Sequence, residues 1–248
     1  MPVPGRDRIV YLRAANEIEY TGPFSLAIAG RDGRAARDFT LPDPYLGDRD
    51  PAPSPDGRAV AFSRVARRSP TSASLFLHIQ PLAGGPARQV SRVPAVQAAW
   101  GRRLIAFVNT TGGANPFATP YIGGNVSAQV WVVAPDGRGA RQVTFSGVNW
   151  SPAWEPRGRW FVVARRVGAR SGLVLVDPRS GRSRWLTRAP RGQEDVTPAV
   201  SPGGRWIAFA RGRPTAHHLV VTSVRGGPVT PIPGGTARGL DIYHPEWP

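Results

Sequence analysis

The 248-residue chain is long enough for one large domain or two small ones, and its 41% hydrophobic content can bury a sizeable core. It has no cysteine, which excludes a disulfide frame and thiolate chemistry, and no apolar run near the ~18 residues that a membrane-spanning helix needs. The net charge of +16 is carried by arginine alone, since lysine does not occur, and glycine (29) and proline (27) recur too often for long helices.

In chain order, the first segment is "PGRDRIVYLRA" (4–14), followed by the apolar run "FSLAI" (24–28), the turn "GRDGR" and the short closing segment "RDFT" (37–40). "PAPSPDGRAVAFSRV" (51–65) then opens a pattern that returns as "AAWGRRLIAFV" (98–108), "PAWEPRGRWFVVARR" (152–166) and "PAVSPGGRWIAFARG" (198–212). Each copy continues with a second apolar run: "LFLHI" (75–79), "VWVV" (130–133), "LVLV" (173–176) and "HLVV" (218–221). A turn follows, and then a closing segment: "RQV" (88–90), "RQVT" (141–144), "RWLT" (184–187) or "TPI" (230–232). "HPEWP" (244–248) begins one more copy, and residues 4–14 read as the remainder of a copy whose beginning is missing.

The runs are short, rich in Val, Ile, Phe, Leu and Trp, and bounded by Gly, Pro and Asp, which is strand chemistry. In "SPDG", Pro55 presets φ for a turn and Gly57 takes the left-handed conformation that closes a hairpin. Four antiparallel strands in about 45–55 residues is the period of a propeller blade. Pro51–Phe62, Pro152–Val163 and Pro198–Phe209, with "DGRGARQVT" (136–144) and "RSGRSRWLT" (179–187), resemble the repeats of TolB-like propellers, relatives of the WD-repeat propellers. The expected architecture is all-β: one five-bladed propeller spanning 1–248, with four antiparallel strands per blade. Its blades cover roughly 1–45 with 240–248, then 46–93, 94–146, 147–190 and 191–239. In this reading "DIYHPEWP" (241–248) joins the N-terminal blade and closes the ring; the alternative is a fragment of a larger ring.

A ring of blades buries sheet faces that one blade leaves open. Phe62, Phe107 and Phe209, with Tyr11 and Val163, occupy one repeat position and are expected between blades. Trp100, Trp154 and Trp247 share another, as packing residues or as an aromatic platform for a sugar or base.

Three surfaces are candidates for function. The first is the loop 109–129, "NTTGGANPFATPYIGGNVSAQ", which carries Phe117 and Tyr121 and is long enough to be functional. The second is a set of arginines expected on the same face: Arg13, Arg64, Arg165, Arg166 and Arg211, whose guanidinium forks suit carboxylates or phosphates. Arg34, Arg88, Arg138, Arg182 and Arg225 on the opposite face make the basic character two-sided. The third is a polar ring at the channel mouth: Asp50, Gln97, Ser151, Thr197 and His244, joined two residues upstream by Asp48, Asn149 and Asp195.

No "GxSxG" elbow, "HExxH" pair or Cys/His cluster appears, and no cofactor or metal is expected. His244 with Asp50 or Asp195 is the one candidate for a catalytic constellation. The expected role is a non-catalytic binding or scaffold propeller with a protein or peptide partner. The alternatives are a lyase or hydrolase acting on an anionic glycan or peptide, and polyanion binding through the arginines. A monomer is expected. The compartment is periplasmic or extracellular if a leader was removed, and otherwise cytoplasmic; the resemblance implies a periplasmic interaction partner.

Overall fold

The computed structural model describes residues 1–16, 21–40, 47–69, 72–111, 127–213 and 216–233. They form five antiparallel sheets in chain order, the blades of a β-propeller. The first blade shows three strands, β1 (Arg8–Asn16), β2 (Thr21–Gly30) and β3 (Arg37–Asp38). The expected closing strand 241–248, with His244 and Trp247, lies outside the described residues. The other blades are four-stranded. The second holds β4 (Asp48–Pro53), β5 (Ala59–Ser69), β6 (Ser72–Pro81) and β7 (Arg88–Gln89). The third holds β8 (Val96–Trp100), β9 (Ile105–Thr111), β10 (Ser127–Val133) and β11 (Arg141–Gln142). The fourth holds β12 (Val148–Trp154), β13 (Phe161–Val167), β14 (Arg170–Val176) and β15 (Ser183–Trp185). The fifth holds β16 (Glu194–Val200), β17 (Trp206–Arg213), β18 (Ala216–Ser223) and β19 (Thr230–Pro231).

The turn chemistry accounts for the hairpins. In the second blade Ser54 N–H donates to Ala59 O at 2.8 Å and Gly57 N–H to Ser54 O at 2.9 Å, so residues 54–59 form the tight link between β4 and β5. Gly57 has φ +65, and a Cβ there would meet the Pro4 carbonyl oxygen at 2.2 Å. Only glycine meets both demands at that position. The Asp56 carboxyl is held below its ordinary value, first by its hydrogen bond from Ser54 and then by the Arg58 amide.

The chain divides into two compact units, Met1–Asn109 with Val133–Ala140 and Thr110–Val132 with Arg141–Pro248. In the first, Val3, Val10, Leu26, Ile28 and Phe39 of the N-terminal blade pack with Val60 and Phe62 of the second. In the second, β16 packs against β12, β13 and β14, so the inner strand of the fifth blade lies on the fourth. The repeated position Phe62, Phe107, Val163 and Phe209 is fully buried in four blades. Its first-blade counterpart, Tyr11, is only half-buried.

In four of the five blades the closing segment ends at, or is directly followed by, a hydroxyl residue that caps the neighbouring strand. Thr40, Ser91, Thr144 and Thr187 accept from the amides of Leu26, Leu77, Val130 and Leu173 at 2.9, 2.9, 2.8 and 2.9 Å. A buried N–H left open here costs more than the bond contributes, which explains Ser or Thr at one place in four copies.

Candidate functional site

The polar position repeated in the inner strands shares one backbone feature. Every described inner strand slips register by one residue at the same place: between Arg49 and Ala52, Val96 and Ala99, Trp150 and Ala153, and Val196 and Ala199. Such a slip is a β-bulge. Within the bulges Asp50, Gln97, Ser151 and Thr197 have φ of 53, 52, 50 and 48. Non-glycine residues adopt this left-handed conformation at a cost, which is greatest for a β-branched side chain such as Thr197. Alternation across the stretch therefore does not hold, and Asp48, Asn149 and Asp195 are not placed by the side-chain period of two.

In the first unit, the Asp50 carboxylate accepts from the Gln97 amide at 2.8 Å, tying the second blade's inner strand to the third's. In the second unit, Thr197 is 3% exposed and its Oγ1 has no hydrogen-bond partner among the described residues.

Two residues upstream, the side chains are engaged within their own blade. Asp48 takes both forks of Arg64, with Nε–Oδ1 and Nη2–Oδ2 each 2.8 Å. Asp195 does the same with Arg211 at 2.6 and 2.8 Å, and it also accepts from the Thr187 hydroxyl at 2.5 Å. In the fourth blade Asn149 replaces the carboxylate and accepts from Arg165 Nε at 2.6 Å. The partners sit opposite each other in the ladder: Asp48 with Arg64, Asn149 with Arg165, Asp195 with Arg211. Burial pulls the Arg165 guanidinium below its ordinary value, and its Nη1 donates to Ser183 Oγ at 3.1 Å. In the third blade the two positions are Ala95 and Asn109, and the Asn109 amide donates to Pro94 O at 2.9 Å.

Four of the five arginines expected to face a ligand are thus engaged internally, because Arg13 also pairs with Asp38 at 2.6 Å. Arg166 lies 6.0 Å from the centroid of the Trp150 ring. Phe117, Tyr121 and His244 lie outside the described residues.

A second set of arginines links consecutive blades. Arg88 donates to the carbonyls of Pro135 at 2.6 Å and Asp136 at 3.4 Å in the first unit. In the second unit Arg141 donates to Pro178 O, and Arg184 to Val224 O at 2.8 Å. Each reaches from an outer strand to the hairpin turn of the next blade. Sequence reasoning missed this role, although the signal was present: all three arginines open a closing segment.

One buried acid–base pair adjoins Asp195. His217 Nε2 lies 3.2 Å from Glu194 Oε1, with the two side chains 0% and 12% exposed. Burial pushes the Glu194 carboxyl above its ordinary value, opposed by His217 and by the more distant Arg166. Gly212, between them in the ladder, permits the approach, since a Cβ there would meet Ala216 O at 2.0 Å.

Comparison with known proteins shows similarity to TolB-like β-propellers. TolB from Acinetobacter baumannii superposes with a TM-score of 0.66 at 16% identity, over 93% of this chain and 53% of that one. A putative TolB from Agrobacterium tumefaciens gives 0.66 at 20% identity, over 86% of this chain and 70% of that one. An oligogalacturonate lyase solved in complex with manganese gives 0.59 at 14% identity, over 84% and 58%. The chain thus spans about half the length of the Acinetobacter protein. No family model and no curated protein matches it.

Proposed function

We propose that the chain is a non-catalytic binding propeller that holds a protein or peptide partner through its loop face or central channel. The observation that carries this reading is the left-handed polar residue repeated in four inner strands. Backbone strain kept at one register position in every described copy is a maintained feature. The side chain there is polar in all four strands, and the Thr197 hydroxyl, which has no hydrogen-bond partner among the described residues, keeps its capacity to bond an incoming chain. The neighbouring carboxylates Asp48 and Asp195 are each engaged by an arginine of their own blade, which favours a structural over a catalytic role for them. Following the resemblance, the proposed setting is periplasmic, with the propeller acting as a monomer and without a cofactor.

The test is recovery of partners by the tagged protein, by Thr197→Val, which keeps the branched shape and removes the hydroxyl, and by a protein lacking residues 112–126 of the segment 109–129. Partner recovery that falls in either altered protein supports the reading. Equal recovery in all three contradicts it, as does turnover of polyuronides or peptides by the unaltered protein. Capture of only polyanions, with affinity falling steeply with salt, would favour the arginine-rich faces as the binding surface instead.

A further inference from the structure

The arginines not used in holding blades together point to a second surface, independent of the one just proposed. In the second unit a groove of about 510 Å³ opens between the outer part of the fourth blade and the turn of the fifth. Its floor is apolar, made by Leu175 and the half-buried ring of Trp160. Arg182 and Arg225 stand exposed at its rim, and neither guanidinium has an ion pair among the described residues. Arg184 spans the groove by its bond to Val224 O.

The single carboxylate lining the groove, Asp177, is outnumbered by Arg182, Arg184 and Arg225 and forms no ion pair with them among the described residues. Asp177 Oδ1 accepts from the Arg179 amide and Oδ2 from the Ser180 hydroxyl, both at 2.8 Å, so its own turn engages the carboxylate. Those bonds, led by the Arg179 amide, hold it below its ordinary value.

The groove also borders an open strand edge. β15 is the last strand of its sheet. Arg182 O accepts from Asp177 N at 2.9 Å and Leu186 N donates to Leu173 O at 2.8 Å, while Arg184 stands opposite Leu175. By the alternation of an antiparallel ladder, the N–H and C=O groups of Ser183 and Trp185 point away from β14.

We infer that this edge takes an extended acidic peptide segment that carries an apolar side chain. Main-chain bonds to Ser183 and Trp185 add it to the sheet, which is strand addition. Alternate side chains then face the groove, placing an apolar group on Trp160 and Leu175 and carboxylates against Arg182 and Arg225. The match rests on charge complementarity: unpaired guanidiniums over an apolar floor select an anionic, partly apolar ligand.

The experiment measures fluorescence anisotropy of short labelled peptides with the intact protein at about 150 mM salt, where long-range attraction is screened. Three probes carry Ser at every second position: the Glu–Leu peptide has Glu, Leu and Glu at the positions between, the Gln–Leu peptide has Gln, Leu and Gln there, and the Glu–Ser peptide has Glu, Ser and Glu, so that these residues share one face of the added strand. The Glu–Leu peptide is expected to bind at least about tenfold more tightly than either other probe. Arg182→Glu with Arg225→Glu is expected to weaken it about tenfold or more, and Ser183→Pro to weaken it relative to Ser183→Ala, which loses the same hydroxyl acceptor for Arg165 but keeps the outward N–H. Arg102→Glu with Arg103→Glu, which alters net charge equally at an exposed turn, is expected to leave it within about twofold. Equal binding of Glu–Ser, equal loss in the two charge-reversed proteins, or no saturable binding would each overturn the inference.

Discussion

Replacing Asp195 by Ala is expected to destabilise the protein by about 3–5 kcal/mol, because it leaves a buried guanidinium without its counter-charge. Arg211 and Asp195 have side chains only 13% and 0% exposed, and the carboxylate also receives the Thr187 hydroxyl. Thr187 in turn caps Leu173, so the loss propagates from the fifth blade into the fourth. In a chain of this size the expected fall in Tm is about 6–20 °C. Two companion substitutions separate a broken pair from general damage. Asp195→Asn is expected to cost less, since Asn149 already fills the equivalent role beside Arg165. Adding Arg211→Met to Asp195→Ala is expected to recover part of the loss, because the unpaired charge is then gone. A Tm for Asp195→Ala equal to that of the original protein would show that the pair contributes nothing.

The second large effect is expected at the repeated aromatic position. Phe209 is 0% exposed and lies opposite Val220 in the ladder. Truncation to Ala removes a ring from a closed core and is expected to cost about 3–5 kcal/mol, read by denaturant titration. The same change at Phe145, which is 74% exposed, is expected to leave the unfolding midpoint almost unmoved. Similar costs at the two sites would mean that Phe209 does not lie in the packed interior.

The blades were legible because a strand's side-chain period and a turn's residue types are local properties. "SPDG" specifies its hairpin without help from the rest of the chain, and the buried row of Phe62, Phe107 and Phe209 follows from repetition alone. The site was only partly legible. Polarity at Asp50, Gln97, Ser151 and Thr197 was visible, but the backbone feature they share was not. Gln, Ser and Thr are poor markers of a left-handed residue, and an inserted bulge resets the alternation by which Asp48 and Asp195 were assigned to the channel mouth.

The arginines illustrate the same limit from the other side. A uniform surplus of one residue type conceals the separate roles of its members. Arg64, Arg165 and Arg211 each stand 16 residues after their partner, a regularity that marks them as one structural class. Arg88, Arg141 and Arg184 are bound to the next blade, while Arg182 and Arg225 have no ion pair among the described residues. The groove beside those two was invisible in the sequence, because strands of one blade and a turn of the next converge there from distant positions. This division, between arginines that hold strands or blades together and arginines left for a ligand, underlies the second functional reading.

Solvent exchange of arginine Nε–H protons, followed in the protein carrying isotope-labelled arginine, tests that division most directly. The account predicts that Arg64, Arg165 and Arg211 exchange at least about tenfold more slowly than the exposed Arg102 and Arg103, since their Nε–H groups donate to buried acceptors. If all five exchange at one rate, these arginines are surface charges and the account fails.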